Sequence, residues 1–165
     1  MGNSMMGAEI RLLYTDPAMR ILLLNGPNLN MLGTREPEIY GRDTLDDVVG
    51  KIKARAQELG VEVSACQSNH EGALLDFIQQ NQATADAIII NPGAFGHYSY
   101  AIRDAISGSN LPAVEVHISN VHARERFRGS LVLSSVCRGV ITGLGWRGYL
   151  YALESLVAAA KEGKQ

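Results

Sequence analysis

The stretch Ile21-Leu-Leu-Leu24, followed by Asn25-Gly-Pro-Asn28, is a short apolar run that ends in polar and turn-forming residues. Four consecutive large apolar residues predict a strand that is buried on both faces. Strands of that kind are typical of parallel sheets, in which helices cover both sides. Similar runs predict further strands at Val61–Cys66, Ala87–Ile90, Pro112–Val116 and Gly139–Gly143.

The segments between these strands carry apolar residues at helical spacing. Leu45–Leu59 has an apolar stripe that includes Val48 and Ile52, and Gly60 follows it as a stop signal. Further helices are predicted over Glu71–Gln80, His97–Ser107 and Gly145–Ala159. The alternation predicts an α/β, flavodoxin-like three-layer fold, with five parallel strands in the order 2-1-3-4-5 and helices on both faces.

Length and composition predict one folded domain. The chain has 165 residues, and we expect a single catalytic domain over 20–165 after a poorly ordered N-terminal extension over 1–19. The net charge is −2 without a basic stripe, which argues against a nucleic-acid partner. There is no apolar run of membrane-spanning length and no convincing secretory signal. Cys66 and Cys137 lie in apolar runs, as expected for reduced thiols of a cytoplasmic protein.

A long polar segment separates the first strand from the first helix. Connections of this length tend to be binding loops, and this one carries Arg35 and Tyr40, which packing does not require. A guanidinium near a phenol favours the ionised form of the phenol. The loop therefore suggests proton chemistry.

Polar residues follow three of the predicted strands. Asn25 and Asn28 follow the first strand, Asn91 and His97 follow the third, and the set at the fourth strand runs from Glu115 and His117 to Arg128. Each has a structural interpretation as well: Asn91-Pro92 can open a turn, His97 can cap a helix, and Glu115 with His117 can form a buried pair on one strand face. Because ligands of open α/β sheets bind beyond the carboxyl ends of the strands, the convergence favours a site.

The sequence lacks the residues that several common types of reaction require. None of the four lysines follows a predicted strand at this edge, so an imine mechanism has no candidate amine. The Gly-x-Ser-x-Gly motif, zinc-ligand spacings and the Gly-rich nucleotide fingerprints are missing, and a phosphoaspartate receiver would need aspartate in place of Asn91. Acid–base chemistry by Tyr, His, Arg and Asn, with no cofactor and no metal, is what remains.

Five motifs in one order closely resemble those of type II 3-dehydroquinate dehydratases, over most of the chain from about Ile21. The motifs are Asn25-Gly-Pro-Asn-Leu-Asn30, Arg35-Glu-Pro-x-x-Tyr40-Gly41, Gln67-Ser-Asn69-x-Glu71-Gly72, Asn91-Pro-Gly-Ala-Phe95 and Glu115-Val-His117-Ile-Ser-Asn120-x-His122-x-Arg124-Glu125. The sequence departs from the family pattern at Gly96, where threonine or alanine is expected before the histidine, and this departure bears on the placement of His97.

The resemblance implies dehydration of 3-dehydroquinate to 3-dehydroshikimate by anti elimination through an enolate, without a Schiff base. This step belongs to the shikimate route to aromatic amino acids or to quinate breakdown. Tyr40 matches the base, His117 the acid, Arg35 the group that supports tyrosinate, and Glu115 the partner that orients His117. The resemblance also implies that Asn28 holds a water, that substrate binds at Asn91, His97, Asp104, Ile118, Ser119 and Arg128, and that the protein is a homododecamer built as a tetramer of trimers.

Two alternatives remain open at this point. A non-catalytic flavodoxin-like module could bind a small carboxylate through Arg128 and the loop after the fourth strand, but this leaves Arg35 and Tyr40 without a role. A lyase acting on a related cyclic hydroxy-keto acid would use the same residues, and the sequence separates it poorly from the favoured interpretation.

Overall fold

A computed structural model of the chain describes residues 18–34 and 42–163. Five parallel strands form one sheet in the order β2-β1-β3-β4-β5, which confirms the predicted topology. The strands are β1 (Met19–Asn25), β2 (Val61–Gln67), β3 (Ala87–Asn91), β4 (Ala113–His117) and β5 (Gly139–Thr142). The helices are α1 (Leu45–Leu59), α2 (Glu71–Asn81), α3 (Tyr100–Ser109) and α4 (Arg147–Glu162).

Successive residues of the central strands face two separate cores. Ile21 and Leu23 of β1 pack with α1 and α4 on one face, while Leu22 and Leu24 pack with α2 and α3 on the other. Both faces are therefore covered, which explains why the strands are continuously apolar rather than alternating. None of the helices in the described ranges is long and apolar enough to cross a membrane.

Helix ends follow local signals in the sequence. Thr44 caps α1 through a reciprocal pair of hydrogen bonds with Asp47, and Gly60 ends the helix at a φ of 71°. The closing helix begins at Arg147 rather than at the predicted Gly145, because Gly145 has a φ of 62°, which a right-handed helix does not allow.

The prediction that a helix begins at His97 is wrong. Residues Gly93–His97 form a tight 3₁₀ turn after Pro92, and α3 begins only at Tyr100. Ser99 caps α3, since its hydroxyl accepts a hydrogen bond from the Ile102 N–H at 3.0 Å. His97 consequently lies in the turn, facing the end of the sheet, and is not a helix cap.

Two predictions fall partly or wholly outside the described residues. Of the predicted extension over 1–19, only Ala18 and Met19 are described, and Met19 is already the first residue of β1. Arg35 and Tyr40 lie in the undescribed segment 35–41.

Candidate active site

Four polar side chains are buried at the carboxyl end of the sheet. Asn25 of β1 is 1% exposed, Asn91 of β3 3%, and Glu115 and His117 of β4 0% and 5%. Burying polar groups costs free energy unless partners satisfy them, so each member of such a cluster needs an explanation. The structure brings together here residues that the sequence placed after three different strands.

Glu115 and His117 form a hydrogen-bonded pair. They stand two residues apart on β4, so their side chains share one face, and His117 Nε2 lies 2.7 Å from Glu115 Oε1. An ionised carboxylate can only accept, so Nε2 of His117 carries a proton and donates it to Glu115. Nδ1 is then the ring nitrogen through which His117 can exchange a proton with a ligand.

The carboxylate of Glu115 is only half satisfied. Its Oε2 atom is the one buried side-chain oxygen or nitrogen without a hydrogen-bond partner in the part of the chain that the structure describes. Burial, together with the nearby charge of Glu115, raises the pKa of the Cys137 thiol to about 12, so that thiol stays protonated. A buried negative charge with few partners interacts strongly with the His117 ring beside it.

His97 stacks against His117. The ring centroids lie 6.1 Å apart with planes 17° from parallel, and His97 Nδ1 lies 2.9 Å from the Ser130 carbonyl oxygen. Because a carbonyl only accepts, Nδ1 carries the proton and Nε2 is left as an acceptor. Burial lowers the pKa of His97 below its ordinary value of 6.5, so the ring is neutral near pH 7. His97 can therefore accept a hydrogen bond from a ligand hydroxyl.

Gly96 allows this turn to approach the Glu115–His117 pair closely. A Cβ atom at position 96 would lie 2.7 Å from Pro92 Cγ, 3.2 Å from Glu115 Oε1 and 3.3 Å from His117 Cε1. The residue that departs from the family pattern is therefore in close contact with the Glu115–His117 pair. The His97 ring nevertheless lies beside the His117 ring.

The loop after β4 presents two backbone N–H groups away from β5. The carbonyl of His117 accepts from the Gly143 N–H at 3.2 Å, and the carbonyl of Ile118 accepts from the Gly145 N–H at 3.0 Å. The described residues contain no cis peptide bond, and in a trans peptide the C=O and N–H groups point in opposite directions. The N–H groups of Ile118 and Ser119 therefore point away from β5, which makes them available to an anion.

A buried tyrosine connects the ends of the two central strands. The Tyr149 hydroxyl donates to Asn25 Oδ1 at 2.7 Å and accepts from Asn91 Nδ2 at 2.8 Å. The sequence analysis missed Tyr149, because its spacing on α4 marks it only as a core residue. Asn28, in contrast to Tyr149, was predicted from the sequence as a site residue. It lies in the loop after β1 in a left-handed backbone conformation, and its N–H donates to Asn69 Oδ1 at 2.9 Å.

Two charged residues assigned to substrate binding lie nearer the surface. Arg128 forms a two-point pair with Glu125, at 2.6 and 3.3 Å, and the hydrogen bond from Arg128 lowers the pKa of Glu125 to about 2. Asp104 lies on α3 with an exposed side chain bonded to Arg103 at 3.0 Å. Among the described residues, Asp104 makes no hydrogen bond to the buried pair on β4.

The described part of the chain contains no group of three or more His, Cys, Asp or Glu side chains that could hold a metal ion. What the site does contain is a carboxylate–imidazole pair, a neutral imidazole, two outward N–H groups and an arginine. Such a set can bind a polyhydroxylated carboxylate and move a proton at His117.

Comparison with known proteins agrees with this geometry. The family model described as dehydroquinase class II matches residues 19–157. The 3-dehydroquinate dehydratase of Halothermothrix orenii is 54% identical over 144 residues, which is 87% of this chain and 97% of that protein. The catabolic 3-dehydroquinase of Aspergillus clavatus is also 54% identical, over 142 residues, 86% of this chain and 95% of that protein.

A solved structure shows the same fold. The type II dehydroquinase from Butyrivibrio crossotus superposes with a TM-score of 0.82 at 49% identity, covering 84% of this chain and 97% of that one. These relatives are hydro-lyases, which confirms that the chain is an enzyme and rules against the non-catalytic binding module. The chain therefore belongs to the class II dehydroquinase family.

Proposed function

We propose that the chain dehydrates 3-dehydroquinate to 3-dehydroshikimate. The observation that carries the proposal is the buried Glu115–His117 pair beside a neutral His97 at the carboxyl end of the sheet. An elimination needs an acid that protonates the leaving hydroxyl, and a histidine braced by a carboxylate is suited to that task.

The reaction proceeds by anti elimination through an enolate. Tyrosinate at Tyr40 removes a proton from the carbon next to the ketone, and the electrons of that C–H bond move to the ketone oxygen. A water held by Asn28 supports the resulting enolate oxygen. The enolate then collapses to the conjugated ketone, the C–O bond breaks, and His117 gives its Nδ1 proton to the departing hydroxyl, which leaves as water.

Substrate binding is assigned to the residues around the pair. The outward N–H groups of Ile118 and Ser119 hold the substrate carboxylate, with Arg128 as the nearby cation. Asn91 and His97 hold hydroxyl groups, and the acceptor Nε2 of His97 is supported by the Nδ1 bond to Ser130. Asp104 is given the same role by the family resemblance alone, since its exposed side chain is bonded to Arg103. No step requires an amine, a metal or a cofactor.

Ionisation of Tyr40 requires support from a cation. A free tyrosine has a pKa of about 10, so roughly one molecule in a thousand is ionised at pH 7. Lowering that pKa by about two requires about 2.7 kcal/mol of preferential stabilisation of tyrosinate. A close guanidinium in a water-poor site is able to supply it, and this is the role proposed for Arg35.

The setting of the reaction is also proposed. We place it in the shikimate pathway of aromatic amino acid biosynthesis, in the cytoplasm, which two free cysteines support. The assembly is a homododecamer, a tetramer of trimers, and the exposed aromatic side chains of Tyr98, Tyr100 and Phe127 offer surface for association. Light scattering should report a particle with twelve times the mass of the chain, and a stable monomer at micromolar concentration would refute the assembly.

The test of the reaction is an ultraviolet assay for the conjugated enone of 3-dehydroshikimate. The wild-type chain should produce it from 3-dehydroquinate, and borohydride added with substrate should leave the activity intact because no imine forms. Tyr40→Phe should abolish turnover, and Arg35→Ala should move the acid limb of the kcat/KM profile to higher pH. Absence of the enone with wild-type protein would refute the proposed reaction, and an unshifted acid limb would refute the role of Arg35.

A further inference from the structure

The hydroxyl of Tyr149 is a polar group in the centre of an apolar core. The side chain is fully buried and packs with Ile21, Ile89 and Val116 on the face of the sheet covered by α4. Its oxygen reaches the ends of β1 and β3, where Asn25 and Asn91 stand opposite each other in the sheet register. Packing would be served equally well by phenylalanine, so the hydroxyl calls for a separate explanation.

The hydrogen bonds around this hydroxyl have a defined direction. The Gly93 N–H lies 3.2 Å from Asn91 Oδ1, and an N–H group must meet an oxygen, which orients the Asn91 amide. Asn91 Nδ2 then faces Tyr149 and donates to its oxygen at 2.8 Å. The single hydroxyl proton is left for Asn25 Oδ1 at 2.7 Å. Each bond thus determines the direction of the next.

The backbone around the amide is also tightly held. The Gly26 N–H donates to the Asn91 carbonyl at 2.8 Å, and a Cβ at Gly26 would collide with the Pro92 carbonyl. With its main chain held in this way, the movement left to Asn91 is rotation of the side-chain amide, which the contacts of Oδ1 with the Gly93 N–H and of Nδ2 with the Tyr149 hydroxyl oppose. That rotation would exchange its oxygen and nitrogen at the edge of the site.

We propose that Tyr149 is a positioning residue for substrate binding: its hydroxyl, acting with the Gly93 N–H, holds the Asn91 amide in the orientation that leaves a second N–H of Nδ2 for a hydroxyl or keto oxygen of the substrate. An amide nitrogen has two N–H groups, and Tyr149 occupies one of them. Burial raises the pKa of Tyr149, so the hydroxyl keeps its proton and the direction of the bonds is independent of pH near neutrality. This role rests on the proposed function, in which Asn91 binds substrate.

The experiment is a double-mutant cycle on 3-dehydroquinate turnover. Tyr149→Phe removes one oxygen and keeps the ring, and Asn91→Ala removes the amide. We expect Tyr149→Phe to raise KM about tenfold while kcat changes less than about threefold, as for loss of one buried hydrogen bond to a binding group. In the Asn91→Ala background, Tyr149→Phe should change kcat/KM by less than about twofold, because its effect passes through Asn91.

Tyr151→Phe is the matched control, since Tyr151 lies two residues further along α4 with its side chain about half exposed. It should behave as wild type. An effect of Tyr149→Phe that is the same in both backgrounds would show general loosening of the fold and overturn the proposal, as would a Tyr149→Phe enzyme with wild-type KM.

A neutron crystal structure of Tyr149→Phe, which distinguishes the amide nitrogen from the oxygen by its hydrogens, gives a readout that does not depend on turnover or on the folding of Asn91→Ala. The Asn91 amide should be rotated or should occupy two orientations. An amide unchanged from its wild-type orientation would overturn the positioning role even if the proposed reaction is correct. A wild-type enzyme that forms no enone would refute the proposed reaction, and the amide orientation would still be decided.

Discussion

At the amino end of the sheet, Arg20 pairs with Glu62 at 3.0 Å, and more than half of each side chain is exposed. At the carboxyl end, Glu115 pairs with His117 at 2.7 Å, and both side chains are buried. The first pair lies in water, where an ion pair contributes little and perturbs little. The second pair is removed from water, where its charge acts strongly on its neighbours.

The two ends also differ in the groups found there. A cavity of about 660 Å³ lies at the amino end, between the beginnings of β1 and β2 and the last turn of α4, and it is lined by residues that include Leu59, Glu62 and Lys161. The carboxyl end is distinguished instead by buried polar groups bonded to one another.

The largest expected effect tests this contrast directly. His117→Ala removes the proposed acid and should lower kcat by about 100- to 10,000-fold, the usual contribution of a general acid. Lys161→Ala, in the cavity at the amino end, should change kcat less than about twofold, because surface substitutions away from a site have small effects. Steady-state kinetics of the two variants with 3-dehydroquinate is the measurement. A comparable loss in both variants would break the contrast between the ends.

Glu115→Gln should separate activity from stability. The amide keeps the shape of the carboxylate and can accept from His117 Nε2, but it removes the charge that supports the imidazolium. We expect kcat to fall about 100-fold, whereas the melting temperature holds or rises because a half-satisfied buried charge is replaced by a neutral group.

Glu62→Gln is the matched control for that substitution at the amino end. It removes the same charge from an exposed pair, so both kcat and melting temperature should stay close to wild type. A large fall in the melting temperature of Glu115→Gln with an intact kcat would mean that the pair is structural.

Most of the fold was predictable because its signals are local. Apolar runs predicted the strands, helical stripes predicted the helices, and two-residue spacing put Glu115 and His117 on one face. The wrong helix start at His97 also had a correct local signal nearby, because Ser99 stands at the N-cap position and serine is a preferred N-cap residue.

The rest of the site was not predictable in this way. Tyr149 and Asn25 are 124 positions apart, and no local pattern distinguishes a buried tyrosine with a bonded hydroxyl from an ordinary core aromatic. The direction of the Asn91 amide depends on the Gly93 N–H and on the fold around it. Hydrogen bonds between distant segments become visible only when the topology brings the strand ends together.

Gly96→Ala tests the close packing at the carboxyl end, and we expect a smaller effect on kcat than for His117→Ala or Glu115→Gln. The added methyl group would lie 2.7 Å from Pro92 Cγ, closer than carbon atoms pack, so the turn or the Pro92 ring must shift. We expect a fall in kcat of less than about tenfold, because overpacking of this size costs about 1–3 kcal/mol, part of which relaxation relieves. Gly108→Ala on α3, where an added Cβ meets nothing within 4 Å, is the control and should leave kcat unchanged. Equal kinetics of Gly96→Ala and wild type would show that the turn absorbs the methyl group without moving either histidine.

The smallest expected effect concerns the exposed part of the carboxyl end. The hydrogen bond from Arg128 lowers the pKa of Glu125 from 4.5 to about 2. A carboxyl group with a depressed pKa in the folded state contributes stability that is present above pH 4.5 and is lost as the pH falls through 2. Glu125→Gln cannot take up a proton there, so its free energy of unfolding should depend less steeply on pH in this window. Urea unfolding at a series of pH values measures the difference.

Two arginine variants test whether the Glu125–Arg128 pair causes the pH dependence of stability. Arg128→Gln removes the donor and should flatten the same pH dependence, while Arg126→Gln, in the same 3₁₀ turn, should retain it. Because Glu125 lies in water, the change should also shrink at high salt, unlike the effect of Glu115→Gln on kcat. Parallel curves for wild type and Glu125→Gln would mean that the pair with Arg128 contributes nothing to stability in acid. Exposed pairs would then contribute little at the carboxyl end as well as at the amino end, in contrast to the buried Glu115–His117 pair.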